Sequence, residues 1–358
     1  MKDFLALMAI LAICLFTTNQ IAAQCCANGE KASCCSGEGW NADRPDGNAP
    51  IGIMGDHYHG AGSMMFSYRY MYMHMEGNRA GSEKITDAQI FQSNYMMAPQ
   101  TMDMQMHMFG AMYGVTNRIT LMAMTNYLFN EMKMVGMDGT QHLHRSSGWG
   151  DTKVSAIAGL WTNGRHAVHL NTGINVPTGS VTESEMVHQH NGGQHSEVMV
   201  SMPYPMQLGS GTWDVQFGAT YLGQTDRFSW GSQLMGIFPT GENEAGYRMG
   251  NQFQLSSWAA IPVNKWMSVS VRAAGTSTEK LIGADPGMDE MMAPASDAIN
   301  FGGEQLNGFV GLNAYIPNGI LKGIRIGVEY GQPLYQNWNG IQMNRTRMLS
   351  LGVKYSGH

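Results

Sequence analysis

Trp213-Asp214-Val215-Gln216-Phe217-Gly218-Ala219-Thr220-Tyr221-Leu222 decides how this chain is read. The odd-numbered side chains Trp213, Val215, Phe217, Ala219 and Tyr221 are apolar, and Asp214, Gln216, Gly218 and Thr220 between them are polar or small. Successive side chains of a strand point to opposite faces, so this period of two predicts a strand with one apolar and one polar face. The same alternation recurs at Ile324-Arg325-Ile326-Gly327-Val328-Glu329-Tyr330-Gly331 and closes the chain between Arg347 and Tyr355. Working outward, about twelve such segments lie between residues 63 and 355.

The connections discriminate between the all-β classes. Short ones, such as 114–117, 162–165, 223–226, 262–265 and 317–322, alternate with long ones at 76–100, 131–150, 178–211, 239–246, 275–307 and 332–346. Short periplasmic turns facing long outer loops, with even strand number, are the pattern of outer-membrane barrels. The fold class expected is therefore all-β: a transmembrane antiparallel up-and-down β-barrel of bacterial outer-membrane type, its apolar face toward lipid and its polar face lining a lumen. Arg69, Asp103, His107, Asn126, His169, Arg272, Arg325 and Glu329 are then expected in the lumen, because Arg at the lipid midplane costs about 2–4 kcal/mol. By the same reasoning Met102, Met104, Met106 and Met108 are expected against lipid, whereas the parity of Met71, Met73, Met122 and Met124 points them inward.

Composition agrees. Charged residues are 13% of 358, the net charge is −6, and glycine numbers 45. A basic footprint for nucleic acid is absent, and disorder, which needs low hydrophobicity with high net charge, is disfavoured. Mean hydropathy is −0.22, as befits a membrane protein in which only alternate residues meet lipid. One long apolar run exists, Phe4 to Phe16, too short to span a bilayer. With Lys2 before it and Ile21-Ala22-Ala23 after it, residues 1–23 read as a secretory signal peptide. Residues 24–62 form a Cys-rich and Gly-rich segment, periplasmic or folded into the lumen as a plug, and 63–358 form the barrel.

Tyr113-Gly114-Val115-Thr116-Asn117-Arg118-Ile119-Thr120-Leu121, Gly148-Trp149-Gly150-Asp151-Thr152-Lys153 and Asn175-Val176-Pro177-Thr178-Gly179 resemble segments of the outer-membrane barrels named for the MetA pathway of phenol degradation. The resemblance spans most of 60–355 and implies a transporter-like barrel, often assigned to uptake of hydrophobic or aromatic compounds. It carries no catalytic residues. The Met- and His-rich strands and the cysteine leader are not part of that family's pattern.

Those departures define the candidate metal ligands. His57/His59, His142/His144 and His188/His190 are His-x-His pairs, with His195 close to the last; in an extended segment both imidazoles of a pair share one side. Thioether with imidazole suits Cu(I) or a similar soft ion. Methionine, at 32 residues, is also a flexible apolar filler, and drift from Leu to Met would raise the count equally. Cys25, Cys26, Cys34 and Cys35 crowd the start of the exported chain. In an oxidising compartment they form local disulfides or hold a soft ion; their spacing matches no standard zinc pattern.

Enzymatic readings have little support: Ser147, His144 and Asp151 are close in sequence, but a triad is a matter of geometry and no nucleophile elbow is present. The expected function is an outer-membrane channel for small solutes, adapted to copper-like ions through its Met and His groups. No cofactor is required, and the partners are outer-membrane lipid and the solute. The alternatives are passive uptake of hydrophobic or aromatic compounds, or metal sequestration without transport.

Overall fold

Alternation along each strand and antiparallel pairing between neighbours roll the chain into a closed sheet. The computed structural model describes residues 40–191, 194–319 and 321–357, and the side chains of 187–198 are outside it. Twelve long strands form the wall: β1 (Met64–Ala80), β2 (Met97–Gly114), β3 (Ile119–Gly136), β4 (Thr152–Asn163), β5 (His166–Val176), β6 (Trp213–Gln224), β7 (Ser229–Thr240), β8 (Gln252–Pro262), β9 (Met267–Thr278), β10 (Gly303–Tyr315), β11 (Ile324–Trp338) and β12 (Ile341–Gly357). Each pairs with its sequence neighbours, and β12 pairs with β1 from Met64 opposite Gly357 to Ala80 opposite Ile341. That seam removes the open edges, which hydrocarbon does not tolerate. The chain is an outer-membrane-type β-barrel.

The outward face is aliphatic and aromatic: Phe66, Leu121, Phe217, Leu234, Val271 and Val310 are all exposed. Strands β2–β3, β4–β5, β6–β7, β8–β9 and β10–β11 join through short connections at one end. At the other end lie the longer connections, one carrying the helix Asp87–Gln92 and another the hairpin Ser184–Asn191/Gln194–Ser201. The expected long loop over 332–346 is instead a tight turn. β11 runs to Trp338 and β12 starts at Ile341, with Gly340 at φ 67°, where L side chains are strained. The polar run there reads as a loop, but Gln336 and Asn344 bond across the hairpin instead. The expected loop around His142 and His144 is likewise strand. Gln141–Trp149 pairs with the outer half of β3, while β4 pairs with its inner half.

Residues 40–62 cross the lumen at the short-turn end. The Trp40 amide donates to the Gly164 carbonyl and the Gly62 amide to the Gly114 carbonyl. Between them, Ser268 donates to the Pro45 carbonyl, Arg69 to that of Ile53, and His169 and Asn171 meet that of Gly55. Inward-pointing polar side chains of the wall thus satisfy the backbone of this non-regular segment, as a buried loop requires.

Two lumen expectations are overturned by the register. Met75 faces Met102, Met73 faces Met104 and Met71 faces Met106, and paired residues share a face. The β2 methionines therefore point inward, and Asp103 and His107 point outward with Gln105. The polar groups are satisfied where they stand: Tyr68 Oη lies 2.8 Å from His107 Nδ1, Tyr70 Oη donates to Gln105 at 3.1 Å, and Tyr72 Oη donates to Asp103 at 2.5 Å. Asp103 also meets His74 Nδ1 at 2.7 Å. It stands eleven residues from the inner end of β2, so it lies near the outer boundary of an apolar band roughly 25 Å tall.

Candidate functional site

Three consecutive strands supply a continuous thioether surface on the inner wall. Met65, Met71, Met73 and Met75 come from β1, Met102, Met104, Met106, Met108 and Met112 from β2, and Met122, Met124, Met132 and Met134 from β3. Two dense clusters stand on it. Near the plug, Met65, Met108, Met112, Met122 and Met124 pack with Ile157 and with Met54 of the plug. At the outer end, Met75, Met102, Met132, Met134 and Met343 pack with Met202 and Met206 from the β5–β6 connection. Met71, Met73, Met104 and Met106 bridge the two levels.

This placement bears on whether the methionines are filler. Drift from Leu to Met would act on both faces alike. Here the lipid face is mostly Leu, Ile, Val and aromatic residues, with Met64 and Met267 among them, while the apolar side chains of the β1–β3 inner wall are predominantly methionines, with Leu128 and Pro99 beside them.

The outer cluster borders a cavity of about 290 Å³. Met73, Met75, Met102, Met104, Met132 and Met343 line one side, and Trp338, Phe301 and Arg345 are among the residues opposite or beside them. Among the described residues no Asp or Glu lines it. Arg345 Nη1 donates to Gln305 at 2.7 Å and its guanidinium stands 5.0 Å from the Trp338 ring centre. Trp338 Nε1 is buried with no hydrogen-bond partner among the described residues.

Of the other lumen residues named from sequence, Arg69, His169, Arg272, Arg325 and Glu329 meet the plug, as does Lys354. Arg272 and Glu329 form a bidentate pair at 2.8 and 2.7 Å, buried beneath Gly52. Lys354 reaches Asp56 at 3.4 Å, and Arg325 donates to the plug carbonyls of Ala42 and Arg44. Asn126 donates to the Asp151 carbonyl at 3.1 Å, closing the kink between Gln141–Trp149 and β4.

The imidazoles divide by level. His57 and His59 lie on the plug with rings 4.8 Å apart, and His57 Nδ1 is 3.0 Å from Asp56. His142 and His144 stack at 6.5 Å at the outer end, opposite Met134 and Met132 respectively. The two pairs do not converge. The hairpin backbone sets His190 opposite His195, but the side chains of His188, His190 and His195 lie outside the described residues, as do Cys25, Cys26, Cys34, Cys35 and the leader. Ser147, His144 and Asp151 do not assemble: Ser147 pairs with outward Phe129, His144 with inward Met132, and Asp151 accepts from the Gly179 and Ser210 amides.

Among solved structures the chain is similar to the COG4313 outer membrane channel from Pseudomonas putida F1, with a TM-score of 0.59 at 14% identity over 85% of this chain and 99% of that one. The likeness establishes the fold. The beta domain of the Bordetella autotransporter BrkA, at TM-score 0.44 and 9% identity, covers 83% of this chain and 100% of its own. A KdgM porin, at 0.38 and 10%, covers 82% and 99%. No protein-family description and no curated protein matches the chain. The resemblance to the phenol-degradation barrels therefore holds at the level of outer-membrane barrels.

Sequence reasoning missed the β2 methionines, Met343 and Arg345. One signal was available: Met71, Met73 and Met75 share a parity and a strand that must pair with the next methionine run, and in-register pairing aligns the two.

Proposed function

We propose that this barrel is an outer-membrane channel for small solutes whose lumen handles soft monovalent metal ions of the Cu(I) type. The observation that carries this reading is the segregation of thioethers onto the inner face of β1–β3, where they offer a soft, uncharged, polarisable surface from the outer cavity to the plug. Thioether sulfur selects Cu(I) among the first-row ions, and neutral ligands in relay permit an ion to leave each site, as conduction requires. Proteoliposomes of the full chain, loaded with a Cu(I) or Ag(I) indicator, test it. Uptake above that of protein-free vesicles is expected, with loss when Met75, Met102 and Met132 are replaced by Leu together. Tight binding without uptake would place the chain among metal-sequestering proteins instead.

A second reading rests on Arg345 and Trp338. A guanidinium and a free indole N–H, beside an apolar wall and with no carboxylate lining the cavity, also suit a small aromatic or aliphatic carboxylate. Swelling of the same proteoliposomes in benzoate, sensitive to Arg345→Gln and indifferent to the Met→Leu set, would favour it.

A further inference from the structure

The outer thioether cluster continues across a fourth strand into an imidazole. Met75 pairs with Met102, Met102 with Met132, and Met132 with His144. These residues share the inner face, in one row across four strands. Met132 and Met134 are 0% and 1% exposed, and His144, opposite the first, is 9% exposed.

The two ring nitrogens of His144 differ. Nδ1 meets the carboxylate of Glu185, which arrives from the hairpin of the β5–β6 connection. Nε2 is buried and has no hydrogen-bond partner among the described residues. A buried ring nitrogen without a partner costs free energy unless something fills its lone pair. A carboxylate on Nδ1 fixes the tautomer with the proton on that atom, which leaves Nε2 as a bare lone pair. This is how a carboxylate orients a metal-ligating histidine and raises its basicity. Met206, 0% exposed, packs in the same cluster, and Ser146, two residues along the strand, donates to its carbonyl at 2.6 Å.

We infer that His144 Nε2 and the thioethers of Met132 and Met134 form a discrete binding centre for a soft monovalent ion, with Met206 the neighbouring thioether and Glu185 the positioning residue. It rests on the soft-metal reading above and sharpens it. The methionine rows of β1–β3 offer sulfur as their soft donor, whereas this centre adds one nitrogen, and it sits at the outer mouth where an entering ion arrives first. The mixed N/S set favours Cu(I) and Ag(I); with one imidazole and no carboxylate in the first sphere it is a poor match for Zn(II), which takes four N, O or thiolate ligands.

The test is a titration of the full-length protein in detergent with Ag(I), and with Cu(I) under reducing conditions, read by competition against a chromophoric chelator and by X-ray absorption at the metal edge. One tightest site with one nitrogen and two or more sulfurs is expected. His144→Leu removes the nitrogen and that affinity class, and Glu185→Gln, which keeps the imidazole, weakens it by about 10- to 100-fold. A mobility of the unheated protein in gels that changes on heating, as the parent's does, verifies that each variant is folded. A tightest site of sulfur only, unchanged in both variants, overturns the centre while leaving the thioether wall standing. No Ag(I) or Cu(I) binding in any form overturns the soft-metal reading itself.

Discussion

Met102 and Met132 are directly opposed on the inner wall of adjacent strands, 1% and 0% exposed, and Met75 opposes Met102 from the other side. Such a row is costly in specificity of packing, since methionine is the most adaptable of core residues and defines a core less sharply than Leu or Ile. Its presence where a barrel normally places neutral polar groups calls for a function of the sulfur.

Leu has nearly the volume of Met and lacks only the sulfur. Replacing Met102 and Met132 by Leu is expected to cost under about 1.5 kcal/mol at each position, whereas Met132→Ala, which opens a cavity, costs about 2–5 kcal/mol. Denaturant unfolding in detergent checks the stabilities. Ag(I) titration of the same samples is expected to show weakened binding in the Leu variants, although they unfold almost as the parent does.

The barrel was legible in the sequence because period two and the alternation of connection lengths are imposed by the bilayer. The wall assignment of β2 was not, and Asp103 explains why. Parity says which residues share a face but not which face is inside. That was decided by assuming that polar groups avoid lipid, and here tyrosine hydroxyls from β1 satisfy Asp103, Gln105 and His107 on the outside. The assumption worked at Arg272 and Glu329, which pair with each other in the lumen. His142 and His144 were found by their spacing. Their adjacency to Met134 and Met132 depends on a strand extension that polar composition disguises as a loop.

Arg345 gives a prediction about charge selectivity. Arg69, Lys153, Arg272, Arg325, Arg345 and Lys354 face inward on the wall with Asp214 and Glu329, but among the described residues only Arg345 lines the outer cavity, and no described carboxylate there offsets it. A focused charge in a narrow low-dielectric site changes local counter-ion concentration by about tenfold or more. Arg345→Glu is therefore expected to shift the reversal potential under a KCl gradient toward cation selectivity, and Arg345→Lys to leave it unchanged. Planar-bilayer recordings check both.

Tyr95 ties the β1–β2 connection to the β9–β10 connection outside the membrane. Its hydroxyl donates to Asp297 at 2.7 Å and accepts from Asn300 at 2.8 Å. Burial, and then the Asp297 carboxylate, push its pKa up to about 12. A raised folded-state value means that the contribution is fully present below the ordinary phenol range near 10 and is lost as pH climbs through about 12. Burial pushes Tyr247 up to about 12 as well, so absorbance titration of phenolate is expected to lose one of two late-titrating components in Tyr95→Phe. That variant removes one hydrogen bond from Asp297 Oδ2 and one from Asn300 Nδ2 and lowers loop stability by about 1–3 kcal/mol, read as faster proteolysis at the outer connections.

Gly52 decides whether the plug can seat. It presses against the Arg272–Glu329 pair, and a Cβ there would overlap both the guanidinium and the carboxylate. Neither can retreat cheaply, because each end of this bidentate, buried pair is the other's partner, and breaking such a pair by removing one member costs about 3–5 kcal/mol. Gly52→Val is therefore expected to unseat the plug around Ile51 to Ile53 while the strand ladder stays intact. Single-channel conductance should rise, and the unheated barrel should keep its gel mobility. Glu329→Gln acts at the same place by another route: it leaves the Arg272 charge uncompensated and should raise both conductance and sensitivity to denaturant. If Gly52→Val conducts like the parent, residues 40–62 do not limit flow, and the restriction lies instead among the methionines of the outer cavity.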